Sequence, residues 1–338
     1  MDLIRERREL RRILGEMPRS PKQTNGLFEA DAEILRLGPR EWLVSSTDSI
    51  GEEVTLKLYR EPETWGWMSV MSSVSDLAAT GTSALGLLLS AQWAFQTKDP
   101  EKKRFYKGVR QALQRANVPL LGGDSGGAKD HVFTTTILGR SSTEPISRMG
   151  AKPGDAVVLL GLGQLGPGPA LAFRYLYEHP EKSLPEKLFR PTPNWSFAEK
   201  WRDVASASID TSDGLATSLA ILGSLNQVGF DLEWQPSALH PAVVRFCRQV
   251  SLPLPLLWMG DHGDFQTLLC VPQKKLARMQ RRYDDFVVLG KVTDHAGHVS
   301  LKKGAQSLKL PVDWVVNCKR DLPSIRELSD EMVAYFRQ

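Results

Sequence analysis

The sequence predicts a mixed α/β (α+β) protein of two domains, and three observations carry that reading. Apolar residues recur at helical spacing in some stretches and in short alternating or continuous runs in others, and both kinds occur in each half of the chain. The 338 residues suit two domains, each large enough to bury a core. A loop over 148–155, marked by Gly150, Pro153 and Gly154, interrupts the chain near its middle. It sets the expected boundary between residues 1–147 and 148–338.

The elements follow in order. A charged amphipathic helix is expected over 2–15, stopped by Pro18, Pro21 and Gly26. Strands follow at 32–37 and 42–46, around Gly38-Pro39, then a helix at 65–79 leading into a strand at 84–90. A helix at 98–116 and strands at 118–121 and 132–139 complete the first half. The second half alternates: strand 156–161, helix 169–177, a proline-bearing stretch to Pro193 and a short helix to Val204. Strand 206–209, helix 214–225, strand 230–233 and helix 242–250 come next, then strand 267–271, helix 273–282 and strand 286–292. The C-terminal segment shows no decisive period. Periodicity does not order the strands.

Composition removes several function classes. The chain is 41% apolar and 24% charged, ordinary for a packed protein. Lys+Arg 43 against Asp+Glu 39 leaves only +4, without the basic, aromatic-interleaved stripe of a nucleic-acid binder. Lys274, Lys275, Arg278, Arg281 and Arg282 read as one solvated helix face. Cys247, Cys270 and Cys318 are far apart with no CxxC, which disfavours disulfides and cysteine-rich zinc and suits a reducing, cytoplasmic compartment. Residues 1–14 are too charged for a signal peptide, and the charge-free stretch 77–97 is too broken by polar residues and glycine to span a membrane.

One pattern recurs: an aspartate beside small polar residues or glycine where an apolar segment stops. It occurs at Thr47-Asp48, Ser75-Asp76, Gly122-Gly123-Asp124-Ser125 and Asp210-Thr211-Ser212-Asp213-Gly214, and Asp31 lies between Ala30 and Ala32. Magnesium is a hard ion held by a few carboxylates together with substrate phosphates. Converging aspartates repel one another unless a cation sits among them. Neighbouring glycines let backbone N–H groups approach phosphate, and a helix beginning after Asp213-Gly214 favours anions at its start. Taken singly, Asp213 reads as a helix N-cap, Asp76 as a solvated side chain and Gly122-Gly123-Asp124 as a turn. The set reads as a cation nest.

The segments SSTDSIGEEV, SVMSSVSDLAATG, LLGGDSGG, SRMGAKPGD and SIDTSDGLATSLAIL resemble, in order and spacing, those of the thiamine-monophosphate kinase family. That family belongs to the superfamily of aminoimidazole ribonucleotide synthase and selenophosphate synthetase. The resemblance implies the two-domain fold of that superfamily, with mixed sheets packed against helices and a homodimer formed across the N-terminal domains. It implies magnesium-binding roles for Asp31, Asp48, Asp76, Asp124 and Asp210, with Ser212 and Asp213 near phosphates and metals. Gly122, Gly123, Thr47 and Arg148 match nucleotide-contacting positions, and Asp210 and Asp213 would carry catalysis. The implied reaction moves the γ-phosphoryl of ATP to thiamine monophosphate with Mg²⁺ and no covalent enzyme intermediate.

The chain departs from the family pattern at Glu29-Ala30-Asp31, where the family has paired aspartates, and at Val54-Thr55-Leu56, where it has Val-His-Phe. The later Gly-Gly-Glu-Asp-Tyr-Glu motif reads Asp261-His262-Gly263-Asp264-Phe265-Gln266 here. The acceptor half is therefore more altered than the metal half. Two other readings stay open: the same ATP chemistry on a different acceptor, and a non-catalytic nucleotide-binding dimer.

Among rival signals, Gly161-Leu162-Gly163-Gln164-Leu165-Gly166 fits a dinucleotide-binding turn, but Pro167 and Pro169 crowd it and no second strand supplies a ribose-binding acid. His262 beside two aspartates lacks a second histidine at helical spacing. No G-x-S-x-G or GxxxxGK[ST] occurs. Trp65, Trp67 and Trp314 read as packing residues.

Overall fold

The computed structural model describes residues 5–170, 185–193, 198–258, 263–281, 283–317 and 322–337. Its first half contains α1 (Arg5–Leu14), β1 (Glu33–Gly38), β2 (Glu41–Ser49), α2 (Glu52–Thr55), α3 (Pro62–Ala79), β3 (Ser83–Ala94), α4 (Asp99–Ala116), β4 (Leu120–Ala128) and β5 (Val132–Ser141). The five strands form one mixed sheet in the order β1-β2-β5-β3-β4, with β3 and β4 parallel. Trp42 and Val44 of β2 and Phe133 and Ile137 of β5 alternate inward and pack beneath α3.

Helix α3 is buried almost all round, which explains why it carries no charge between Glu63 and Asp76. It crosses α4 closely because glycines meet backbone at the crossing. A Cβ on Gly66 would lie 2.1 Å from the Phe105 carbonyl oxygen, and one on Gly108 would lie 2.0 Å from that of Glu63. Trp65 sits in this core with its indole N–H donated to the Tyr59 carbonyl at 2.8 Å. Trp67 donates to the Pro191 carbonyl at 2.7 Å, and Trp314 is largely exposed.

The second half contains β6 (Ala156–Leu160), α5 (Ala198–Arg202), β7 (Ala207–Asp210), α6 (Leu215–Asn226), β8 (Gly229–Glu233), α7 (Pro241–Val250), β9 (Thr267–Val271), α8 (Gln273–Gln280) and β10 (Phe286–Thr293). The C-terminal segment, unreadable by period, forms β11 (Val299–Lys303), β12 (Gln306–Lys309), α9 (Val312–Val316) and α10 (Leu322–Arg337). The seven strands run in the order β12-β11-β8-β10-β6-β9-β7. Strands β6 and β9 are buried along their whole length, matching their uninterrupted apolar sequences. The helix expected at 169–177 is helical over 167–170; the rest of it lies outside the described residues, as do His262, Arg282 and Cys318.

Two expected loops are strands. Strand β2 runs on through Thr47 and Asp48, and β4 absorbs Gly122, Gly123 and Asp124. Gly123 is needed there by contact with its neighbour: a Cβ would lie 1.8 Å from the Leu89 carbonyl oxygen on β3. Among the described residues, no helix is long and apolar enough to cross a membrane.

Candidate metal and phosphate site

Three elements deliver acidic side chains to one place. The loop before β1 carries Asp31, the last turn of α3 carries Asp76, and β7 ends on Asp210. One oxygen from each of these three carboxylates lies within 4.8 Å of the others. Asp48 joins them from β2, where the twofold period puts it on the same inward face as Trp42 and Val44. Its carboxyl group hydrogen-bonds both Asp76 and Ser72. Asp213, just before α6, lies close enough to raise the Asp48 carboxyl further.

Each acid is held by a neighbour. Ser46 donates to Asp76 Oδ2. Ser75 donates to Asp210 Oδ2 at 2.5 Å, and Ser212 to Asp210 Oδ1 at 2.8 Å. Asp31 Oδ1 accepts from Arg148 Nη2 at 2.7 Å and Nε at 3.2 Å, and from the Asp210 backbone N–H at 3.3 Å. Sequence reading named Ser212 but missed Ser46 and Ser75. The signal for Ser75 was present in the run Met71-Ser72-Ser73-Val74-Ser75-Asp76, because hydroxyls inside a buried helix need partners.

The electrostatics follow from burial and crowding. Burial, then the charges of Asp48, Asp210 and Asp31, hold the Asp76 carboxyl well above the usual range. Burial and the Asp31 charge push Asp210 up to about 8. Burial, then Asp213 and Glu53, lift Asp48 to about 6. Burial opposes the Arg148 charge, but Asp31, Asp210 and Asp76 outweigh it and strengthen its hold on the proton. A cluster that retains protons for lack of positive charge is one a divalent cation would relieve. The donors are carboxylate and hydroxyl oxygens, which suit a hard ion and offer nothing to a soft one.

The other expected residues lie elsewhere. Thr47 is exposed on the opposite face of β2, its hydroxyl bonded to that of Thr136 at 2.9 Å. Gly122, Gly123 and Asp124 lie on the outer strand of the five-stranded sheet, not in a loop. The row Asp48–Thr135–Leu89–Gly123 crosses the sheet, so Asp124 stands about 14 Å from the cluster at ~4.8 Å per strand. Arg148 turns to Asp31 rather than to a glycine loop, and its side chain is only 11% exposed.

The glycine-rich turn at 161–168 is already occupied by a carboxylate. Asp264 accepts from the backbone N–H groups of Gly166 at 2.6 Å and Gly168 at 2.7 Å, and its burial lifts its own pKa to about 7. Those amides are therefore spent within the chain, as a structural reading of the turn requires.

Residues 29–141 match the family model described as AIR synthase related protein, N-terminal domain. The thiamine-monophosphate kinase of Archaeoglobus fulgidus is 32% identical over 214 residues, covering 60% of this chain and 67% of that protein. This chain belongs to the thiamine-monophosphate kinase family. The enzyme of that name from Halobacterium salinarum is 28% identical over 239 residues, 70% of this chain and 80% of the relative. Among solved structures, one described as "AaThiL complexed with AMPPCP and TMP" superposes with a TM-score of 0.71 at 21% identity, over 89% of this chain and 94% of the other. The aminoimidazole ribonucleotide synthase-like fold expected from the motifs is thus the observed one.

Proposed function

We propose that the protein is an ATP- and Mg²⁺-dependent kinase that transfers the γ-phosphoryl group of ATP to thiamine monophosphate, yielding thiamine diphosphate and ADP. The observation that carries this reading is the convergence of Asp31, Asp76 and Asp210 on one point, in a chain of this family. The family name supplies the acceptor, and the solved relative carrying AMPPCP and TMP supports a site for both reactants.

In this reading Asp31, Asp48, Asp76, Asp210 and Asp213 hold the metal and thereby orient the triphosphate. Mg²⁺ held there would supply charge neutralisation to the phosphate oxygens of the transferring group. Ser212 and the first turn of α6, with Gly214 at its N-cap, receive phosphate oxygens with hydroxyl and backbone N–H groups. An oxygen of the acceptor phosphate bonds to the γ-phosphorus as the bond to the β–γ bridging oxygen breaks. The acceptor is already anionic, so positioning replaces a general base.

Residues 1–147 form the ATP- and metal-binding unit and residues 148–338 close the cleft, in a cytoplasmic homodimer. The exposed Leu85, Leu88, Leu120 and Leu121 on β3 and β4 support pairing of two copies along that face. Gly122, Gly123 and Asp124 then serve the nucleotide site of the second copy.

Incubation with ATP, Mg²⁺ and thiamine monophosphate, followed by chromatography, is expected to yield thiamine diphosphate. ATP binding without that product would overturn the acceptor assignment. The altered Asp264-Phe265-Gln266 segment favours a second reading, the same transfer to another phosphate monoester. There the Gln266 amide donates to the carbonyls of Asp264 and Thr192. The same assay with a panel of such acceptors decides between them.

A further inference from the structure

Ser69, Ser72 and Ser75 recur every three residues along α3, and each hydroxyl reaches the carbonyl three residues earlier: Gly66 at 3.1 Å, Ser69 at 3.3 Å and Ser72 at 2.8 Å. That bond alone satisfies a buried serine, and for Ser69 nothing more is needed. Ser75 has a second partner. Its hydroxyl, fully buried, stands 2.5 Å from Asp210 Oδ2, on a strand of the other sheet and 135 residues away in the chain. The next residue on the helix is Asp76 itself. Consecutive positions of α3 therefore contribute one carboxylate and hold another.

We infer that Ser75 is a positioning residue that fixes the Asp210 carboxylate at metal-binding distance from Asp76, an inference that rests on the magnesium reading of the cluster. Asp210 ends β7 in the seven-stranded sheet, whereas Asp76 belongs to a helix packed on the five-stranded one. Their separation is thus set by how two layers meet, and a carboxylate at a strand end can rotate about its last bond. Ser75 on Oδ2 and Ser212 on Oδ1 remove that rotation. Each carboxylate oxygen has two lone pairs, so a hydroxyl on one leaves the other for an ion. Partners of this kind outside the ligand shell, when removed, typically cost about 10–100-fold in metal affinity.

The test uses Ser75→Cys, which keeps the volume and weakens the donor, with Ser75→Ala beside it and Asp210→Asn and Asp76→Asn as references. Mn²⁺ binding to the full nucleotide-free chain is measured by calorimetry, and the thermal midpoint without metal reports folding. Ser75→Cys is expected to weaken Mn²⁺ binding about tenfold, to keep the midpoint near wild type, and to raise KM for metal·ATP more than it lowers kcat. Wild-type Mn²⁺ affinity in Ser75→Cys and Ser75→Ala, with affinity lost in Asp210→Asn, would overturn the role of Ser75 and leave the metal site standing. Wild-type affinity in both aspartate variants would overturn the magnesium reading and the positioning role together.

Discussion

Arg148 grips Asp31 through a single carboxylate oxygen, with Nη2 and Nε both on Oδ1 and the Asp31 side chain only 1% exposed. The guanidinium makes no hydrogen bond to Oδ2, which in the proposed site would be open to a cation. The arginine is itself anchored: its backbone N–H donates to the Glu29 carbonyl at 2.7 Å, and its carbonyl accepts from Asn226 Nδ2 at 2.8 Å. Removing the guanidinium strands a buried carboxylate among other acids. Arg148→Met is expected to destabilise the metal-free protein by about 3 kcal/mol, and added Mg²⁺ to recover part of the loss. Chemical denaturation with and without Mg²⁺ measures both.

Asp76→Asn and Asp210→Asn each replace an ionisable carboxyl group of the cluster with a neutral amide of the same shape. Both are expected to fold, since the acids already retain protons without metal. Metal·ATP affinity should fall at least about tenfold in each. Calorimetric titration with Mg²⁺ and AMPPCP checks it, and an unchanged affinity would remove that residue from the site.

The raised pKa values give stability a definite pH dependence. Asp210 moves from 3.8 to about 8 and Asp48 from 3.8 to about 6. Across that window the folded, metal-free chain keeps protons that the unfolded chain has released. Their contribution is present in full below the unfolded value and is lost as pH rises through the folded one. Metal-free thermal midpoints should therefore decline from pH 5 to pH 8, less steeply in Asp210→Asn. Metal binding displaces those protons, so Mg²⁺ affinity should rise over the same interval.

The α3–α4 crossing tolerates no side chain at Gly66 or Gly108, where a Cβ would meet backbone rather than a movable side chain. Gly66→Ala is expected to cost about 1–3 kcal/mol in unfolding free energy as the helices separate. Because Asp76 rides on α3, the same variant should also weaken metal·ATP binding. Denaturation and calorimetry on one preparation test both effects.

Asp124 lies about 14 Å from its own cluster, too far to ligate there, so in the proposed homodimer its contribution would be to the site of the second copy. Asp124→Asn and Asp76→Asn are each expected to be inactive alone. Mixed and refolded together, they should recover about a quarter of wild-type activity, because half the dimers would be hybrid with one intact site of two. No recovery would place Asp124 outside the active site.

Much of the fold was legible because local chemistry enforces it. The apolar runs of β6 and β9, the glycine-and-proline loop at 148–155 and the helix that carries no charge between Glu63 and Asp76 appear where residue type and spacing put them. The C-terminal strands were not legible, because short segments such as 306–309 bury little and carry no repeating pattern. Asp48, Asp76 and Asp210 stood out through their small polar neighbours, and Asp31, between two alanines, through the family resemblance. Ser46 and Ser75, which hold two of them, did not, since a serine beside an apolar residue looks the same whether its partner is four residues away or more than a hundred.

The sequence by itself determined the type of most elements and marked out a set of candidate acids, because both depend on residue type and spacing along a few turns of chain. Only the tertiary structure decided which acids meet. Thr47 and Asp48 are neighbours in sequence but face opposite sides of one strand, and Asp124 is carried to a sheet edge by the strand order. Asp76 and Asp210, 134 residues apart, meet where a helix on one sheet touches the end of a strand in another. That meeting depends on how layers pack, which no local pattern records.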